Sequence, residues 1–126
     1  MRLKTLAEVA QRTMKGDSFD RCLANFLDEF YAAPSAKALA DPPSLLAPVF
    51  GGLGRVQDAY LAATADELAR ANHFLFPAWT AADTRRLRQP WFASSLAALR
   101  TVLLLESPTA FRSRNLFISE NALTRA

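Results

Sequence analysis

The chain has 126 residues, 51% of them apolar and 21% charged, a balance that builds one hydrophobic core and excludes both a disordered tail and a second ordinary domain. Its longest apolar run, Val102-Leu103-Leu104-Leu105, falls far short of the ~20 residues a membrane helix needs, so no membrane span is expected. The net charge of +3 is unevenly spread: residues 1–84 carry 8 Lys/Arg against 10 Asp/Glu, whereas residues 85–126 carry 7 arginines against Glu106 and Glu120.

Alanine and leucine dominate the apolar set and β-branched residues are scarce, which favours helix. Thr5 and Glu8 have capping-box spacing, so a helix is expected from Leu6 to about Lys15, stopped by Gly16. Asp17 is positioned to cap a second helix from Ser18 to about Ala33, which Pro34 ends. Phe19, Cys22, Leu23, Phe26, Leu27 and Phe30 recur at intervals of three and four residues and trace its apolar face, with Arg21, Asp28 and Glu29 opposite. Ser35 opens a short turn through Leu39, and Ser44 to Phe50 has room for a turn or two around Pro48. Gly51-Gly52-Leu53-Gly54 reads as a loop and the most flexible point of the chain.

A third long helix is expected from Arg55 to Asn72, with a second capping-box pattern at Thr64–Glu67 that allows a break near Ala63. His73 to Pro90 lacks a clean period and reads as a connection holding one short helix. From Trp91 or Ser94 a last long helix runs to about Glu106, with Leu96, Leu99, Val102 and Leu103 inward and Ser107-Pro108 ending it. Leu116-Phe117-Ile118 is a candidate strand, followed by a turn from Ser119. The expected architecture is all-α: one domain over residues 1–126, a bundle of four or five helices with irregular connections.

The residues offer little chemistry. His73 is the only histidine, has no triad signature around it, and is expected to make a contact at a helix C-terminus. Cys22 is the only cysteine, which excludes an internal disulfide and a cysteine-rich zinc site; on an apolar stripe it reads as a small buried hydrophobe. Asp17, Asp20, Asp28 and Glu29 read as a cap and a solvated face in preference to a metal site. The glycine loop lacks the Gly-Lys-Ser/Thr ending of a phosphate loop. Residues Thr5 to Ala10 resemble the first helix of bacterial helix-turn-helix domains, but the following helix is too aromatic and acidic to read bases. No cofactor, metal or catalytic residue is expected, and the default location is the cytoplasm, since Glu8, Gln11 and Arg12 interrupt any signal-like stretch.

The arginine-rich second part is the exception. Arg85, Arg86 and Arg88 adjoin Trp91, and Arg112 and Arg114 flank a turn before Leu116. Guanidinium groups suit carboxylate or phosphate, and Arg and Trp are favoured interface anchors. These six residues are the candidate partner-binding set, for an acidic protein first and nucleic acid second. Trp79, Phe92 and Phe117 lie near them as core or further anchors, and 13 aromatic residues leave homodimerisation open.

Two segments carry a resemblance: LAEVAQRTMKGDSFDRCLANFLDEFYAAP from Leu6 to Pro34, and QPWFASSLAALRTVLLLESPTAFRSRNLFISENALTRA from Gln89 to Ala126. Together they span about half the chain, including Arg112, Arg114 and Asn115, while Ser44 to Arg88 is unmatched. They resemble a family of small uncharacterised bacterial proteins encoded beside minimal nucleotidyltransferases in toxin–antitoxin-like pairs. The resemblance carries no site residues. It implies an antitoxin-like partner whose arginines cover the acidic mouth of a nucleotidyltransferase. The resulting expectation is a non-catalytic protein-binding module, with a nucleic-acid-binding regulator as the alternative and an enzyme with an unrecognised site as the third option.

Overall fold

The computed structural model describes residues 1–93, 97–119 and 121–125. In chain order the elements are α1 (Leu6–Met14), α2 (Phe19–Ala32), α3 (Lys37–Ala40), α4 (Ala47–Phe50), α5 (Gly52–Ala71), β1 (Trp91–Phe92), α6 (Ala97–Glu106), α7 (Thr109–Arg112) and β2 (Leu116–Phe117). Two 3-10 turns, Ala78–Ala81 and Asp83–Arg85, lie between α5 and β1. The class is all-α, with seven helices among the described residues where four or five were expected; α3, α4 and α7 are single turns of four residues each.

The two N-terminal helices follow their local signals. Glu8 N–H donates to Thr5 Oγ1 at 3.1 Å, and the Glu8 carboxylate accepts from Lys4 N–H at 3.2 Å, so the box closes one residue earlier than the ideal pattern. Ser18, and not Asp17, caps α2, accepting from Arg21 N–H; Asp17 instead takes Arg12 Nε at 2.6 Å across the turn at Gly16. The α2 stripe Cys22, Leu23, Phe26, Leu27 and Phe30 is buried, and α1 meets it with Leu6, Val9 and Ala10.

Helix α5 is the axis of the fold. It runs unbroken for 20 residues, so the break allowed near Ala63 is absent. Thr64, read as a cap, instead donates its hydroxyl to the Tyr60 carbonyl one turn back at 2.8 Å, which leaves the helix intact. Alanines at 59, 62, 63, 65 and 69 are fully buried, and their small side chains let α4, α7, β2 and both 3-10 turns approach from several sides. The glycine segment is also a correction: Gly52-Leu53-Gly54 is helical, and Gly51, at φ 62°, supplies the left-handed corner between α4 and α5. Gly54 sits where α4 folds back; a Cβ there would stand 2.4 Å from the Leu46 carbonyl oxygen.

The C-terminal end of α5 closes with a Schellman motif. Phe74 N–H donates to Ala69 O at 2.8 Å and His73 N–H to Arg70 O at 3.3 Å, with His73 at φ 58° in the position glycine usually fills. The single histidine is thus part of a helix terminus.

Trp91-Phe92, expected to open the last helix, is instead a strand parallel to Leu116-Phe117, pairing Trp91 with Leu116 and Phe92 with Phe117. Trp91 N–H donates to Asn115 O at 2.8 Å and Ala93 N–H to Phe117 O at 2.9 Å. Asn115 turns the chain into β2 at φ 63° and donates its side-chain amide to Leu87 O at 2.7 Å. The expected helix start at Ser94 and the inward Leu96 lie outside the described residues. Of the other positions expected inward on α6, only Leu103 is buried, while Leu99 and Val102 are each 43% exposed. Ser107 ties the end of α6 to β2, accepting from Ile118 N–H at 2.8 Å.

Candidate functional site

The six residues singled out from the sequence do not act as a set. Arg85, on the second 3-10 turn, is 3% exposed. Its guanidinium donates to the Pro43 and Asp58 carbonyls, stands 3.8 Å from the Asp58 carboxylate and stacks over the Trp79 ring at 4.8 Å. Burial pushes the Arg85 guanidinium down and Asp58 opposes that shift. Asp58 also receives Leu46 N–H at 2.7 Å and Ala47 N–H at 3.1 Å, so one carboxylate caps α4 and holds Arg85. Trp79 is held in turn, its indole N–H donating to Leu39 O at 2.9 Å.

Arg114 is likewise internal, at 6% exposure. It donates to Asp66 Oδ2 at 2.7 Å, to the Thr80 carbonyl at 3.0 Å and to the Ala110 carbonyl at 2.7 Å. Asp58 and Asp66 therefore hold these two arginines as internal struts on α5, and the expectation that Arg85 and Arg114 face a partner is corrected. Each is engaged by a buried carboxylate.

Arg86, Arg88 and Arg112 are exposed, and among the described residues none of them forms an ion pair. Arg86 and Arg88 line one depression of about 340 Å³ with Arg55, Asp83 and Thr84. Arg55 was not singled out, because it lies in the half of the chain whose overall balance is acidic. Arg112, on α7, lines neither this depression nor the concavities beside it.

Trp91 joins this basic ground to an apolar groove. With Arg55, Val56, Arg88 and the start of α5 at Gly52 it lines a concavity of about 510 Å³. It also lines a groove of about 630 Å³ between α2 and α5, whose walls include Phe19, Leu23, Leu27, Leu53 and Val56. The first turn of α5 has no side-chain cap, so the positive end of its dipole adds to Arg55 and Arg88. Tyr60, in the groove wall, packs edge-on against Phe111 at 4.9 Å and Phe19 at 6.1 Å. Burial pushes its phenol up to about 12, with Asp20 adding to the shift.

Other chemistry is sparse. Cys22 is fully buried, and burial followed by Asp17 raises its thiol. Among the described residues no three His, Cys, Asp or Glu side chains converge on a metal-sized site, and no helix is long and apolar enough to cross a membrane. Asp28 and Glu29, read as a solvated face, pair with Arg125 at 2.9 Å and Arg2 at 3.1 Å. Comparison with protein-family models, curated proteins and solved structures returned no match to this chain.

Proposed function

We propose that this chain is a non-catalytic protein-binding module that docks an acidic partner through Arg55, Arg86, Arg88 and Trp91. The observation that carries the reading is the place of Trp91, 36% exposed, on the shared border of the apolar groove and the concavity that Arg55 and Arg88 line, with Arg86 beside them in the adjoining depression and none of the three ion-paired among the described residues. Apolar ground beside Arg and Trp is the usual composition of an interface core and its anchors. The resemblance to antitoxin-like proteins makes a nucleotidyltransferase the first partner to try, and the charge of this face suits its acidic mouth. Arg85 and Arg114 act behind the face, holding the 3-10 turns and β2 that present Arg86, Arg88 and Trp91.

The test is co-expression with the product of the neighbouring gene, followed by purification of the complex. Reversal of Arg55, Arg86 and Arg88 to Glu should abolish co-purification with the fold intact by circular dichroism. Unchanged co-purification would reject the face.

The same arginines favour a second reading, contact with nucleic-acid phosphates. Binding through Arg55, Arg86 and Arg88 would then weaken with salt, with a logarithmic slope near −3 for about three neutralised phosphates. Self-association has a separate surface, the exposed Leu99, Val102 and Leu105 of α6.

A further inference from the structure

Resting on the acidic-partner reading, we infer that the partner enters as an amphipathic helix, its apolar stripe laid in the groove between α2 and α5 and its carboxylates turned toward Arg55 and Arg88. Helices α2 and α5 form two walls, and Trp91, Ala93, Ile118, Ser119 and Ala122 line the groove with them. Phe19, Leu23 and Leu27 stand four residues apart along α2, and Leu53, Val56 and Tyr60 three and four apart along α5. Each row is one helical ridge, and a third helix is the element whose ridges fit between two such rows. The α2 row spans about 12 Å at 1.5 Å per residue, the length of roughly two turns of a bound helix; Leu23 and Leu27 are its buried end, and Phe19, Leu53 and Val56 are the side chains left for that helix to cover.

Charge fixes the kind of helix. At the Trp91 and Val56 side the groove opens onto the concavity that holds Arg55, Arg88 and the uncapped start of α5. Asp20 and Arg125 also line the groove, but Arg125 is paired with Asp28 at 2.9 Å, so among the described residues the arginines without a carboxylate partner are on the Trp91 and Val56 side. An occupant with carboxylates on one flank meets the guanidinium groups there, and a basic one is repelled. The exposure of Leu53, at 63%, leaves a large aliphatic side chain on the wall for that helix to cover.

The experiment uses the full chain and three labelled 14-residue peptides, followed by fluorescence anisotropy. One carries leucines at helical spacing with glutamates on one flank, the second has lysines in place of the glutamates, and the third is a scrambled version of the first. The glutamate peptide is expected to bind at least about tenfold tighter than either other peptide. Arg55→Glu with Arg88→Glu should invert the preference between glutamate and lysine, and Leu53→Glu should weaken the glutamate peptide about tenfold. Equal binding of the scrambled peptide would overturn the helix-in-groove inference while leaving the acidic-partner reading standing. Equal binding of the lysine peptide, or no saturable binding of any of the three, overturns it too. In the last case a neighbour-encoded protein that still co-purifies through the arginines would preserve the broader reading. A short DNA duplex outcompeting the glutamate peptide would overturn both.

Discussion

Arg114 reaches back 48 positions along the chain to place its Nη2 2.7 Å from Asp66 Oδ2, and both side chains are buried. Buried pairs of this kind lose most when one member is removed, because the other charge stays in the interior without a counterion. Arg114→Met is therefore expected to cost about 3–5 kcal/mol in urea denaturation. Asp66→Leu combined with Arg114→Met should recover most of that loss. A single variant less than about 1 kcal/mol below the parent would show that the pair adds nothing beyond packing.

Asp58 has the heavier duty, since its two oxygens receive Leu46 and Ala47 N–H groups while Arg85 stands 3.8 Å away. Asp58→Ala removes the cap of α4 and the counterion of Arg85 together, and a fall in Tm of about 10 °C or more is expected. Asp58→Asn keeps one acceptor and should fall between. Differential scanning calorimetry checks the order; equal melting of all three proteins would contradict it.

Gly54 and Gly52 make a paired test of sterics against propensity. Alanine normally favours a helix over glycine by about 1 kcal/mol. At Gly52 nothing lies within 4 Å of an added Cβ, so Gly52→Ala should stabilise by a few tenths of a kcal/mol or more. At Gly54 the added carbon meets the Leu46 carbonyl at 2.4 Å, so Gly54→Ala should destabilise by about 1–3 kcal/mol. Equal effects in denaturant titrations would mean that α4 does not press on α5 there.

Tyr60 sets an alkaline limit. Its folded-state phenol is raised to about 12 from an unfolded value near 10, so the neutral form is favoured on folding. The associated stability is complete below about pH 10 and is lost as pH climbs toward 12. Ultraviolet titration of the two tyrosines should show a late phenolate step that Tyr60→Phe deletes. A Tyr60 midpoint at the ordinary value of about 10 would place the ring in water.

The sequence made some of this legible and hid the rest for physical reasons. Helices α1 and α2 were readable because their signals are local, the Thr5–Glu8 cap for the first and the stripe from Cys22 to Phe30 for the second, although the α2 cap is Ser18 where Asp17 was expected. The strand at Trp91-Phe92 was not, since its hydrogen bonds go to Asn115 and Phe117, more than 20 residues onward. The arginine excess of the second half was visible, but composition does not say which guanidinium meets which carboxylate. Arg85 and Arg114 found Asp58 and Asp66 across the fold, whereas Arg86 and Arg88 were left outside. Arg55 was missed because it reaches that face from a distant helix and not from the basic segment.

The two struts also bear on how a shortened chain folds. The chain up to Ala82 holds Asp58 and Asp66 on α5 without either arginine. Enclosing that helix without the later segment would leave Asp66 in a dry interior with no counterion, and Asp58 with only the Leu46 and Ala47 N–H groups. A fragment ending at Ala82, which lacks both arginines, is therefore expected to be less helical by circular dichroism than the 126-residue chain.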